Sequence, residues 1–304
     1  MTTKIANNQI LGGAVYAVDY GVMADSDGTT GNGTDDTAAW QVAIADAKAN
    51  DWSLVGPSGF TRITATLDFK QVRAKFNGIF IKDFDGVGVT ILEGGSTFTV
   101  LEDPVVWGVG TQSTGSHGFS VRDSRVKIIR GVSQYNGGLG YYHLDDDGNN
   151  NFCEVDMFCG SNGDGGTHID VGAQGNDSNG WKVRFRNNNN GGDGLKVSSE
   201  AKDWTGFAHA EDNTGVGLNL VDGRRLDLQV YLETNGGGDY DIADACQFIK
   251  LTGRYGSGTT NNNTSYCLTS GGNDRQVRGN TTGIIEKIGN TNLSNSASEY
   301  MTRK

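Results

Sequence analysis

The chain has 304 residues, of which 20% are charged, and a formal net charge of −11. That acid excess excludes nucleic acid as a partner, because release of counterions from a phosphate backbone needs clustered Lys and Arg. No run approaches the roughly 20 apolar residues of a membrane span, and the 47 glycines beside two prolines fit a chain of many turns rather than collagen or a Pro-rich linker.

Residues 1–13 read as a short adaptor or linker. Met1 to Ile10 lack the apolar centre of a signal peptide, so none is expected. A β-branched and aromatic run, Ala14 to Gly21, opens the folded part and leads into a loop rich in Gly, Asp and Thr. An amphipathic helix follows. Thr34 or Asp35 can accept hydrogen bonds from its first free amides, Asp35 and Asp36 suit its positive dipole end, and Trp40, Ala43, Ile44 and Ala47 form one apolar stripe. The stripe needs a hydrophobic partner, and the open end of a stack of strands supplies one, so residues 14–58 are expected to cap such a stack.

Three segments carry a resemblance: Val18-Asp19-Tyr20-Gly21, Gly33 to Gln41, and Val55 to Ile63. Together they resemble the opening of the pectate-lyase-like superfamily, which includes phage tailspike depolymerases and polygalacturonase-like glycosidases. The resemblance implies a right-handed parallel β-helix, an all-β solenoid with an N-terminal amphipathic capping helix. It also implies a homotrimer of the virion tail that meets other phage tail components and acts on polysaccharide at the bacterial outer surface. It fixes no chemistry, since lyases, hydrolases, epimerases and inert shafts share this opening. Asp145-Asp146-Asp147 and Gly165-Gly166-Thr167-His168 do not match the polygalacturonase catalytic motifs.

Downstream, a glycine-rich turn recurs behind Asn136, Asn162, Asn190, Asn213 and Asn235, at spacings of 26, 28, 23 and 22 residues. Coils of a β-helix tolerate such variation because extra residues bulge from the corners. Asn and Gly suit left-handed corners. After each turn apolar residues alternate: Tyr142 and Leu144, Thr167, Ile169 and Val171, Leu195 and Val197, Leu218 and Leu220, Tyr240 and Ile242. These are expected to face inward. A second strand set precedes each turn, through Val155 and Met157, Val183 and Phe185, Leu228 and Val230. The solenoid is assigned to residues 59–254, and residues 255–304 to a terminal coil, cap or oligomer contact.

Neighbouring strands lie roughly 4.8 Å apart, so equivalent outward residues form rows. On this alignment one row holds Ser120, His143, His168, Lys196 and Asn219, and the next holds Arg122, Asp145, Asp170, Ser198 and Val221. Asp145 and Asp170 then form a candidate carboxylate pair for glycosidic hydrolysis. For β-elimination, His143, His168 or Lys196 would take the proton beside a uronate carboxylate that Arg122 neutralises. Alternatively, the row is a solvated polar ladder. Glu154 and Asp156, beside Lys182, Arg184 and Arg186, are second candidate acids or a salt-bridged stack. Tyr141, Trp107, Trp204 and Tyr231 are candidate sugar-stacking aromatics, with Trp181 and Trp204 equally read as core.

No cofactor or metal is expected. The acidic loop Asp25 to Asp36 lacks the ordered ligand pattern and closing glutamate of an EF-hand and reads as a turn, and Asp145 to Asn149 is a second weak metal candidate, where a cation would fit the lyase alternative. Cys153, Cys159, Cys246 and Cys267 read as reduced, packing thiols. The expected function is binding and depolymerisation of a bacterial capsule or O-antigen, with a non-catalytic glycan-binding shaft and a polysaccharide lyase as alternatives.

Overall fold

The computed structural model describes residues 13–92, 98–144, 151–170, 178–199, 201–243 and 246–254, with two further strands at Gln276–Gly279 and Ile284–Glu286. The fold is the expected right-handed parallel β-helix, capped by the helix Thr37–Asn50. Two sheets form its walls. The long sheet stacks Arg73–Lys82, Val126–Gln134, Glu154–Gly160, Lys182–Asn188, Thr205–Glu211, Gly223–Glu233 and Gln247–Arg254 among others, and the short sheet runs from Leu67–Asp68 through Leu139–Leu144, Gly165–Asp170, Leu195–Val197 and Leu218–Leu220 to Tyr240–Ile242. Apart from the antiparallel pair Gln276–Gly279 and Ile284–Glu286, these strands pair in parallel.

Period two decides which side chains enter the core. In the long sheet Val155, Met157, Val183, Phe185, Leu228 and Val230 are buried, and in the short sheet so are Thr167, Ile169, Leu195, Val197, Leu218, Leu220, Tyr240 and Ile242. Trp181 and Trp204 stack within that interior, ring centres 4.8 Å apart and 6° from parallel. Cys153, Cys159 and Cys246 are buried free thiols, and desolvation pushes the first two up to about 12.

Strand Leu139–Leu144 departs from the expectation. Its inward residues are Tyr141 and His143, both without exposed surface, while Tyr142 and Leu144 face out. The register follows the turn rather than hydrophobicity. In every repeat the first inward residue lies five positions after the turn asparagine, and Tyr141 obeys that offset. The interior accepts a histidine because the Tyr141 hydroxyl meets His143 Nδ1 at 2.8 Å and the imidazole packs on Trp181 at 4.7 Å.

The turn asparagines also serve differently from the expectation. The residues in the left-handed conformation are those just before them, Tyr135, Ser161, Asn189, Asp212 and Thr234. The asparagines themselves are buried and stacked. Each side-chain amide donates to the next side-chain oxygen, at 3.1 Å from Asn136 to Asn162, 3.0 Å from Asn162 to Asn190, 2.8 Å from Asn190 to Asn213 and 2.9 Å from Asn213 to Asn235. The same oxygens accept the backbone N–H of the preceding asparagine. Buried polar groups must be paired, and this chain of amides sets one coil's register on the next.

At the N-terminal end, Trp40, Ala43, Ile44 and Ala47 bury the helix stripe against Phe69, Phe76 and Phe80. Asp35 accepts a hydrogen bond from the Thr37 amide at 3.1 Å. Asp36 is buried and accepts the Met23 and Ala24 amides at 2.8 and 3.1 Å, while desolvation holds its carboxyl above the ordinary range. In the opening loop, Asp25 and Asp27 accept hydrogen bonds from Thr34, Thr29 and Asn32.

Candidate functional site

The short sheet presents one outward row with a definite register: Ser120, Tyr142, His168, Lys196, Asn219 and Asp241. His168, Lys196 and Asn219 stand where expected, but Tyr142 replaces His143, which is buried in the core. The row assigned to Arg122, Asp145 and Asp170 holds Leu144 between Arg122 and Asp170, and Asp145 lies outside the described residues. Hence no described carboxylate stands beside Asp170 at that position. Tyr141 and Trp204, expected as exposed stacking aromatics, have no exposed surface.

Along this face His117 meets Tyr142 edge to face with ring centres 5.2 Å apart, and Tyr142 meets His168 at a 35° tilt with centres 5.4 Å apart. His117 accepts the Leu139 amide at 2.9 Å, and His168 Nε2 meets Ser198 Oγ at 2.6 Å. Desolvation lowers both imidazoles, with Lys196 adding to the effect at His168. Asn219 donates to Asp193 at 2.9 Å. The face is a hydrogen-bonded polar wall.

The long sheet behaves differently. Glu154 faces Lys182, Asp156 faces Arg184, and Phe158 faces Arg186 on the next strand, the expected alignment. Arg186 bonds Asp156 at 3.1 Å, and Lys127 bonds Glu154 at 2.8 Å from the strand below. Two recesses open here. One, of 360 Å³, is lined by Glu154, Asp156, Lys182, Arg184 and Thr205 among others, and its neighbour, of 670 Å³, by Arg184, Phe207, Asp227 and Gln229. They share Val183, Arg184 and Gly206, so they form one open trough across neighbouring strands. Gly206 makes it possible. Its φ is +153°, and a Cβ there would lie 1.8 Å from the Val183 carbonyl oxygen, so only glycine lets the backbone sit so low.

Further along the same strands lies a constellation that the inward-facing pattern did not reveal. Thr205–Glu211 and Gly223–Glu233 pair so that His209 faces Tyr231 and Glu211 faces Glu233. His209 Nε2 is 3.2 Å from Glu211 Oε2, and the Tyr231 hydroxyl donates to Glu233 Oε2. The two rings meet at 4.8 Å. Glu211 and Glu233 are thus cross-strand partners, each beside a titratable neighbour, on backbones roughly 4.8 Å apart, which brings two carboxyl groups within reach of the separation that suits a retaining glycosidase. Among the described residues no group of three or more His, Cys, Asp or Glu is arranged to hold a metal ion.

No protein-family model and no curated protein sequence matches this chain. Among solved structures it is similar to the A-module of the mannuronan C-5 epimerase AlgE4 of Azotobacter vinelandii, with 14% identity over 79% of this chain and 88% of that module at a TM-score of 0.40. It is also similar to the Dettilon tailspike protein, with 13% identity over 79% of this chain at a TM-score of 0.30, and spans 62% of that protein. The strand pairing of the chain itself carries the architecture, a right-handed parallel β-helix with an N-terminal capping helix.

Proposed function

We propose that this protein binds a bacterial surface polysaccharide on the outer face of the long sheet and hydrolyses its glycosidic bonds, as a tailspike-like depolymerase does. One observation carries the reading. The joined recesses make an open trough, shaped for an extended polymer rather than an enclosed small molecule, and the strands that line it continue to the Glu211–Glu233 pair. Phe207 and Tyr231 offer faces on which the C–H side of a sugar ring stacks. Glu154 and Asp156 are each paired with a permanent cation, Lys127 and Arg186, whereas Glu211 and Glu233 face each other across adjacent strands beside His209 and Tyr231, which makes them the better placed acids.

The chemistry follows the two-carboxylate scheme. Tyr231 orients Glu233 as a carboxylate, which bonds to the anomeric carbon as Glu211 gives its proton to the departing glycosidic oxygen. A water that loses its proton to Glu211 then displaces Glu233 and restores both groups. His209, in contact with Glu211, positions that carboxyl. Location on a virion tail and assembly as a homotrimer belong to the same proposal, and light scattering reads the oligomer directly.

Incubation with purified capsules and O-antigens tests the reaction. New reducing ends without ultraviolet absorbance from an unsaturated uronate are expected. Absorbance of that kind would make the protein a lyase, and binding without either signal would make it a glycan-binding shaft.

A further inference from the structure

The charges around the trough run against those of the molecule. The chain carries −11 overall, yet Lys127, Lys182, Arg184 and Arg186 gather here around Glu154, Asp156 and Asp227. Two of these cations are already committed, Lys127 to Glu154 and Arg186 to Asp156. Lys182 and Arg184 are exposed on the rim, and neither has an ion-pair partner among the described residues. Arg184 lines both recesses.

We infer that the trough selects an acidic polysaccharide, with Lys182 and Arg184 taking the anionic groups of its sugars. The inference rests on the polysaccharide reading above and adds the class of polymer. The two cations lie two positions apart on one strand, so their side chains leave the same face about 6.6 Å apart, at neighbouring points of contact on an extended chain. The guanidinium fork matches a carboxylate or a phosphodiester in two parallel hydrogen bonds, and the ammonium acts as a point charge. Phe207, on the next strand opposite Arg184, supplies the apolar surface for the ring that carries the acid. Repulsion from the rest of the acidic surface is screened beyond about 8 Å at physiological salt, so contacts inside the trough decide binding.

The test uses the full chain and a panel of purified bacterial surface polysaccharides, acidic and neutral. Each acidic polymer is offered native, with its carboxyl groups reduced to alcohols, and with its phosphodiesters removed. The polymers retained are expected to be acidic. Removal of the acidic group should weaken binding about tenfold or more, affinity should fall with added salt, and the arm that loses affinity identifies carboxylate or phosphodiester. Arg184→Gln and Lys182→Gln should each weaken binding about tenfold with unchanged melting temperature, because both side chains are exposed. A neutral polymer bound as tightly, or insensitivity to both substitutions, overturns the acidic class and leaves the trough intact. Retention of no polymer at all, or full binding by Phe207→Ala with Gln229→Ala, overturns the polysaccharide reading itself.

Discussion

The two outer walls of this solenoid obey the same alternation and differ in what it produces. A strand such as Leu195–Val197 or Leu218–Leu220 presents a single outward side chain, so the short sheet carries a narrow polar row, in which His168 and Asn219 are tied to Ser198 and Asp193 beside it. Strands of seven to eleven residues, such as Lys182–Asn188 and Gly223–Glu233, present several rows side by side. One of the long-sheet strands drops its backbone at Gly206, and a trough forms. Polarity of an exposed face is thus required by solvation alone and marks no site; breadth together with a missing side chain makes a surface that holds a polymer.

Removing one acid from each wall should separate the two walls most strongly. Glu233→Gln should lower cleavage on the order of a thousandfold with polymer binding retained, whereas Asp170→Asn should leave both unchanged. Equal losses would return the chemistry to the short sheet. Next comes the register that keeps the walls distinct. Asn190→Ala removes the oxygen that accepts from the Asn162 amide and backbone N–H and the donor to Asn213. It should cost about 2–4 kcal/mol at the 1–3 kcal/mol expected for each orphaned buried group, measured by chemical denaturation.

Gly206→Ala should cost about 1–3 kcal/mol through the clash with Val183, and polymer binding should weaken together with stability. The smallest effect belongs to the short sheet. Burial lowers the pKa values of His117 and His168, so the fold favours their neutral forms. Their contribution is full above the unfolded value of about 6.5 and is lost as pH falls below it. A melting temperature that declines on acidification, and declines less in His117→Gln with His168→Gln, is the expected result.

Much of this was written in the chain. The asparagine-glycine turns disclosed the coils, the opening segments disclosed the helical cap, and the residues before each turn gave the long-sheet register of Glu154, Asp156, Lys182 and Arg184 correctly. Hydrophobicity alone puts Leu139–Leu144 one residue out of register. Tyr142 and Leu144 look more apolar than Tyr141 and His143, yet the fixed offset from Asn136 prevails, because the buried amides lock the corner and a Tyr–His hydrogen bond makes the interior tolerable. The same offset held the missed acids: Glu211 and Glu233 each stand two positions before a turn asparagine, in register with Asn188. The trough was not legible, since the local consequence of Gly206 depends on the neighbouring strand's carbonyl.

The most direct measurement is the position of a bound oligosaccharide, released from whichever polymer the protein retains and located by crystallography. Its sugars should lie against Arg184, Phe207 and Gln229 on the long sheet. Sugars seated instead over His168, Lys196 and Asn219 on the short sheet would contradict that placement.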